Sequence, residues 1–237
     1  MNNEEQSITA ASAVEPAAGP VQRIGMVFSS PGKLGEHLRQ ASPWFLTLAI
    51  VGVVSAIAWV LLPTELLQRM MEAAGRPQPQ GGPSPETMVM FARYGGAVSA
   101  LVFTFIGAAV IAGSLYLVFN LILGQEHSYR QHMSATAHIF WINLLGFLLT
   151  IPIWLAKEDI QIKLGLGLLL PDEPSSFVEH LLSSITLFGL WGAVALGAVQ
   201  SGLSAGRISG GKAIAAVLGL YLVWVLVSAV RATLFGA

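Results

Sequence analysis

Four side chains able to bind a metal or move a proton crowd one short stretch: Glu126, His127, His132 and His138 lie within thirteen residues. A zinc ion would need several of them aimed at one point, and helical zinc motifs place two imidazoles at i, i+4. The spacings here are five and six residues, which do not stack two rings on one helix face. No H-E-x-x-H motif or paired carboxylate accompanies them. The stretch therefore reads as a solvated loop with His138 near a membrane surface, and neither a metal nor a cofactor is expected.

Other chemistries leave still weaker traces. There is no G-x-S-x-G and no glycine-rich phosphate loop, and the chain has no cysteine. An intramembrane aspartate pair is excluded, because the long apolar blocks contain no Asp or Glu. A proton- or sodium-coupled carrier usually keeps an ionisable group at mid-membrane. Only Arg231 and His138 come near, and Arg231 can snorkel from the end of the last block. The expectation is no catalytic residue and no enzyme. Thr104, Tyr116, Asn120, Asn143 and Gln200 would line a solute path if the chain were instead a carrier or channel.

These residues must be positioned by apolar elements. Of the chain, 54 % is hydrophobic and only 11 % charged, too few charges to cover a water-facing surface. Mean hydropathy is +0.67. Five apolar blocks, at about 44–62, 97–123, 133–156, 181–203 and 213–235, approach the roughly 20 residues that cross a bilayer. The fold class expected is all-α: a polytopic membrane protein of five transmembrane helices with short amphipathic interfacial helices. The lipid bilayer is its first partner, and a net charge of −1 argues against nucleic acid. Residues 1–22 are acidic, lack a signal-peptide pattern and read as a disordered tail before a membrane domain at 23–237.

Between the blocks lie amphipathic segments. Ser30-Pro31 is a helix start, with the hydroxyl as cap and proline at the first position. The helix PGKLGEHLRQ sets Leu34 and Leu38 against Lys33, Glu36 and Arg39, and Ile24, Met26, Val27 and Phe28 add anchors. Such a segment can lie along the headgroups, leading through Pro43 to an interfacial Trp44. PTELLQRMMEAAGR is a second such helix. Leu66, Leu67, Met70, Met71 and Ala74 share one face, and Glu65–Arg69 and Glu72–Arg76 form i, i+4 pairs on the other. The helix starting at Ser84-Pro85 is expected to bend at Gly95-Gly96. Alternating Ile160, Ile162, Leu164, Leu166 and Leu168 fit a short hairpin, an interfacial segment or a re-entrant loop.

Spans in lipid associate through small residues that let backbones approach. Gly96, Ala100, Thr104, Ala108 and Ala112 form one stripe, and Gly189, Ala193, Gly197 and Ser201 a second. Packing within the bundle is the plain reading, and a homo-oligomer seam, or contact with another membrane protein, the sharper one. Asn120, Asn143 and Gln200 are read as interhelical hydrogen-bonding groups. Charge leaves orientation open. With the N-terminus inside, Arg23, Lys33, Arg39, Arg130, Arg207 and Lys212 balance Arg69, Arg76, Arg93, Lys157, Lys163 and Arg231 outside.

RIGMVFSSPGKLGEHL with PW before the first block, GQEHSYRQHMSATAH, LGLLLPDEPSSF, SSITLFGLWGAVALG and GGKAIAAVLGLYLVWVLV together resemble the Yip-domain family, the five-span Ypt/Rab-interacting membrane proteins, in its bacterial branch. The resemblance covers nearly all of the chain after residue 22. TAHIFW departs from the aromatic-small-Pro pattern of relatives. The resemblance implies a cytoplasmic N-terminus, a cytoplasmic (inner) membrane, and a pre-membrane helix at FSSPGKLGEHL. The two amphipathic helices, the small-residue stripes and the lack of buried charge point separately to a non-enzymatic adaptor or organiser acting through protein or lipid contacts. The family supplies no catalytic residues, and the small-GTPase partners of its eukaryotic members do not carry over to a bacterial chain.

Overall fold

Every regular element is a helix among the described residues, which in this computed structural model are 18–73, 82–158, 162–170 and 177–235. In chain order these are α1 (Pro20–Ser29), α2 (Pro31–Gln40), α3 (Phe45–Val60), α4 (Thr64–Ala73) and α5 (Pro85–Tyr116). The last of these runs on through a π-helical turn, Leu117–Ile122. Then follow α6 (Tyr129–Lys157), a 3₁₀ turn at Leu166–Leu169, α7 (Phe177–Ser184), α8 (Leu187–Leu203) and α9 (Gly210–Phe235).

Among the described residues three helices are long and apolar enough to cross a membrane: Pro85–Ile122, Tyr129–Lys157 and Gly210–Leu234. Phe45–Val60 and Thr64–Glu72 satisfy the same test jointly across an 89° bend. Leu187–Leu203 is apolar but has 17 residues, about 25 Å at 1.5 Å each. The outside of the bundle is as apolar as its inside. Phe103, Val98, Leu121 and Val223 are among many large side chains more than half exposed, a surface suited to lipid rather than water.

Helix α8 is the axle: α2, α6 and α9 all pack on it, and α3 fills in against α5 and α6. Close approach depends on glycine. A Cβ at Gly197 would stand 2.5 Å from the Cα of Ile214 on α9. A Cβ at Gly35 would strike the Val199 carbonyl, and one at Gly202 the Gly32 carbonyl. So α2 meets α8 backbone to backbone, and Leu34 and Leu38 become fully buried in the core with Val199 and Leu203. The apolar face of this pre-membrane helix is spent on protein, not on lipid.

Several expectations from sequence are corrected. The block at 181–203 is not one helix: α7 and α8 break at Ile185-Thr186, where Leu166 and Leu187 amides bond the Ile185 and Leu164 carbonyls. Thr186 caps α8 by accepting from the Gly189 amide. That pairing, a single antiparallel bridge from Gly165 to Thr186, is what the alternating leucines form here, followed by the 3₁₀ turn. Ile160 lies outside the described residues. The helix through the block at 97–123 starts at Pro85, as the Ser84-Pro85 signal predicts, but no bend interrupts it at Gly95-Gly96, so the helix extends twelve residues ahead of the apolar block. Gly96 instead makes room for the Trp59 indole, whose Nε1 donates to the Ala92 carbonyl at 3.2 Å.

Smaller corrections follow the same lines. The helices at 44–62, 133–156 and 213–235 run Phe45–Val60, Tyr129–Lys157 and Gly210–Phe235. Residues 20–22 of the expected tail belong to α1, while 1–17 lie outside the described residues. The Ser30 hydroxyl makes no cap bond to α2 and contacts Ser29 Oγ instead. Arg69 pairs with Glu158 at 2.6 Å rather than with Glu65. Arg76, Ala74 and the 171–176 part of the LGLLLPDEPSSF stretch are outside the described residues.

Candidate functional site: a polar cluster and an arginine cleft at one end of the bundle

The sequence leaves the imidazoles in a solvated loop; the fold buries them. His127 is 5 % exposed, His132 fully buried and His138 2 % exposed, while Glu126 stays on the surface. The π turn after α5 explains how two of them meet. It places the amide of Asn120, half-buried, between the loop and the start of α6. Asn120 Nδ2 donates to the His127 carbonyl at 2.5 Å, and its Oδ1 accepts from His132 Nε2 at 3.1 Å. The carbonyl-like Oδ1 can only accept, so this bond sets the proton on Nε2 of His132.

The second half of the cluster comes from α8. Ser204 Oγ donates to the Gln200 carbonyl at 2.9 Å, leaving it to accept from His127 Nε2 at 3.2 Å. The two imidazoles stand edge to face, centroids 5.6 Å apart, with Tyr116 and Phe119 also against His132. Gln200 adjoins the His132 ring and is itself fully buried. His132 Nδ1 and both amide atoms of Gln200 are buried without a hydrogen-bond partner. Burial first, then the positive charges of Arg207 and Arg39, hold the His127 pKa below its ordinary 6.5.

This arrangement is a pin, not a ligand cage. Three ring nitrogens point at Asn120, at Ser204 and beside Gln200, in different directions. Among the described residues no group of three or more His, Cys, Asp or Glu converges on a possible metal position. His138 stands apart, its Nδ1 donating to the Ser134 carbonyl at 2.8 Å within α6.

The other polar candidates do not join the cluster. Thr104 donates to the Ala100 carbonyl of its own helix. Asn143 is exposed, over Gly192, in a groove of about 560 Å³ between α5, α6, α8 and α9. That groove is walled by Ile139, Phe140, Leu196, Val217 and Trp224, with Tyr221 and Thr136 as further polar lining. Tyr221 Oη is engaged by the Thr186 amide and the Ser184 carbonyl, and Thr136 by the His132 carbonyl.

The small-residue stripes lie inside the bundle. Ala108 and Ala112 are buried with Leu48, Met133 and Ala137, and Gly96 takes Trp59. Ala100 and Thr104 are half-buried on the same helix. Gly189 abuts Thr186 and Tyr221, Ala193 joins the main core, Gly197 meets Ile214, and Ser201 Oγ donates to the Ile208 carbonyl at 3.1 Å.

Next to the pin lies a feature that sequence reasoning missed. Arg23 of α1, Arg39 of α2 and Arg130 of α6 line one cleft of about 500 Å³, with Gln40–Pro43, Ser128 and Gln131. Arg130 Nε donates to the Ser42 carbonyl at 3.2 Å, which ties the start of α6 to the end of α2. Among the described residues no carboxylate lines the cleft. Sixteen and ninety-one residues separate these arginines, so no local motif could have signalled them. The only available hint was that all three fall on the same side of the bilayer in an N-terminus-inside arrangement. Comparison of the chain with protein-family models, curated proteins and solved structures finds no match.

Proposed function

We propose that this chain is a five-crossing integral membrane protein of Yip-domain type, set in a bacterial inner membrane with its N-terminus cytoplasmic, which acts without catalysis as an adaptor or organiser. The crossings are α3, α5, α6, α8 and α9. In support, three connecting segments meet at one end, as alternate crossings require: Arg130 reaches Ser42, His127 reaches Ser204, and α2 seats on the last turns of α8. α4 and α7 then flank the other end.

One observation carries the adaptor reading over a solute path: the candidate polar side chains do not line one described cavity, since Tyr116, Asn120 and Gln200 gather at the His132 ring while Thr104 and Asn143 lie apart from it. Asn120 is consumed by the histidine pin, Gln200 is sealed beside the His132 ring, Thr104 is bonded to its own backbone, and Asn143 faces a mainly apolar groove whose rim residues Phe103 and Trp224 are exposed. Meanwhile α1 and α2 form a docked platform with Lys33, Glu36 and Gln40 exposed.

The test is a site-directed photo-crosslinking scan at Lys33, Glu36 and Gln40, in cells and in detergent. A discrete, reproducible adduct is expected; capture of bulk lipid alone at all three positions defeats the adaptor reading. Liposome flux with the purified chain tests the rival. Robust solute flux that disappears in Asn143→Leu would establish a carrier instead.

A further inference from the structure

We propose that the cleft between α1, α2 and the start of α6 binds a phosphate group through Arg23, Arg39 and Arg130. Resting on the membrane reading above, this names the chemistry that the platform recognises: a phosphate carried by an anionic lipid headgroup, or free in the water beside it.

Charge is the first argument. Three guanidinium groups face one cavity of about 500 Å³ that no Asp or Glu lines among the described residues. Among the described residues, no carboxylate forms an ion pair with any of the three, and the pair present, Arg69–Glu158, belongs to α4 and the end of α6. Three cations held together by the fold with no ion pair among the described residues repel one another unless an anion joins them. Glu36 lines a neighbouring groove beside Gly202 and Gly206, where Arg39 also reaches.

Unmet hydrogen-bonding capacity is the second argument. Arg23 Nε is buried without an acceptor. Burial also lowers the Arg23 pKa, so this half-buried cation has given up part of its water, and its Nε has no acceptor among the described residues in return. Arg130 is pinned through Nε to the Ser42 carbonyl, which fixes the plane of its guanidinium while the terminal nitrogens keep no partner among the described residues. Paired N–H groups on a fixed guanidinium match two phosphate oxygens, the geometry that makes arginine the preferred phosphate ligand. The start of α6 adds the positive end of a 29-residue helix, with Ser128 as its cap, at the same cleft.

Depth is the third argument. The cleft includes Ala41, Ser42 and Pro43, the residues immediately before Trp44 and the apolar helix α3. A group bound there sits where the chain enters the hydrocarbon, the level of lipid phosphates. Basic pockets between membrane helices on the cytoplasmic side are known physical sites for such headgroups.

The experiment uses the full-length protein in detergent, with phosphatidylglycerol and phosphatidylcholine added in equal amounts and bound lipid counted by native mass spectrometry. Wild type is expected to retain phosphatidylglycerol preferentially. Arg39 and Arg130 are exposed and only Arg130 makes a hydrogen bond, to the Ser42 carbonyl, so Arg39→Gln with Arg130→Gln, its folding checked by thermal unfolding, should lower that preference roughly fivefold for each arginine removed. Arg69→Gln, at the opposite end, should leave it unchanged. A second arm measures the thermal shift by inorganic phosphate at constant ionic strength without lipid. A shift lost in the double variant, with no lipid preference to lose, assigns the site to free phosphate. Wild-type and double-variant protein that agree in both arms overturn the proposal. A chain that stays monodisperse without detergent defeats the membrane reading instead, so the two failures are distinguishable.

Discussion

The two ends of this bundle treat their arginines in opposite ways. At the α4 end, Arg93 donates to the carbonyls of Val60 and Leu62 and to Thr64 Oγ1. It thereby satisfies backbone groups that the 89° bend between α3 and α4 leaves exposed. Arg69 nearby has Glu158. At the α2 end, Arg23 and Arg39 have no partner among the described residues and Arg130 has one carbonyl. That end is held together by other means: glycine contacts between α2 and α8, buried leucines and the neutral polar pin around Asn120. The difference teaches how a membrane protein can keep cations free for a ligand. Where packing and uncharged hydrogen bonds do most of the closing, Arg23 and Arg39 are left without a structural partner among the described residues, and Arg130 spends only its Nε on one.

The strongest way to break this comparison is to unseat α2. Gly35→Leu drives a side chain into the Val199 carbonyl and the Leu203 amide, so α2 must lift and expose Leu34 and Leu38. Their lost burial is worth roughly 3–6 kcal/mol together. Hydrogen exchange should then speed up across 31–40, and thermal stability in detergent should fall by several degrees. Unchanged protection would mean that the close contact does not hold the platform.

Arg93→Ala attacks the other end. It strands two carbonyls and a hydroxyl at the bend, and a loss of about 1.5–3 kcal/mol is expected from hydrogen bonds to a charged donor. Thermal unfolding reads it. Arg39→Ala, by contrast, should cost little or no stability, and a loss equal to that of Arg93→Ala would erase the distinction between the two ends.

Acid sharpens the comparison further. The His127 pKa is depressed in the fold, chiefly by burial, so the folded state binds this proton less readily than the unfolded chain does. Stability from this group is complete above the ordinary pKa of 6.5 and is lost as pH falls below it towards the folded value. A titration of thermal stability from pH 8 to 5 should be flatter in His127→Gln. Hydrogen exchange should place the acid-induced loosening at the α2 end; loosening at α4 would refute the assignment.

The smallest effect belongs to Glu158→Gln. Arg69 and Glu158 keep about half their side-chain surface in water, at 54 % and 61 % exposure, so screening leaves the pair worth no more than about 0.5 kcal/mol. A double-mutant cycle with Arg69→Gln measures it.

Much of the helical architecture was legible in the chain, because apolar blocks without acids leave the backbone few alternatives to helix. Ser84 before Pro85 announces a helix start that the fold uses, its hydroxyl accepting from the amide three residues on. The misread positions share a cause. Gly95-Gly96 carries the mark of a flexible joint, and only the arrival of Trp59 from α3 turns it into a seat. Nothing within residues 181–203 reveals that Leu164 and Leu166 will come back to split the block at Ile185.

Composition and hydropathy by themselves determined that this protein is helical, that lipid suits its outer surface, and that its long apolar blocks carry no acid. Those properties are local sums over neighbouring residues, so reading along the chain suffices. Tertiary structure alone decided that α2 is an internal strut, that His127 and His132 are sealed from water, and that three scattered arginines share one cleft. Each of these depends on which distant backbones touch, and contact between α2 and α8 requires glycines at Gly35 and Gly202, more than one hundred and sixty residues apart. No periodicity along a single helix encodes that meeting.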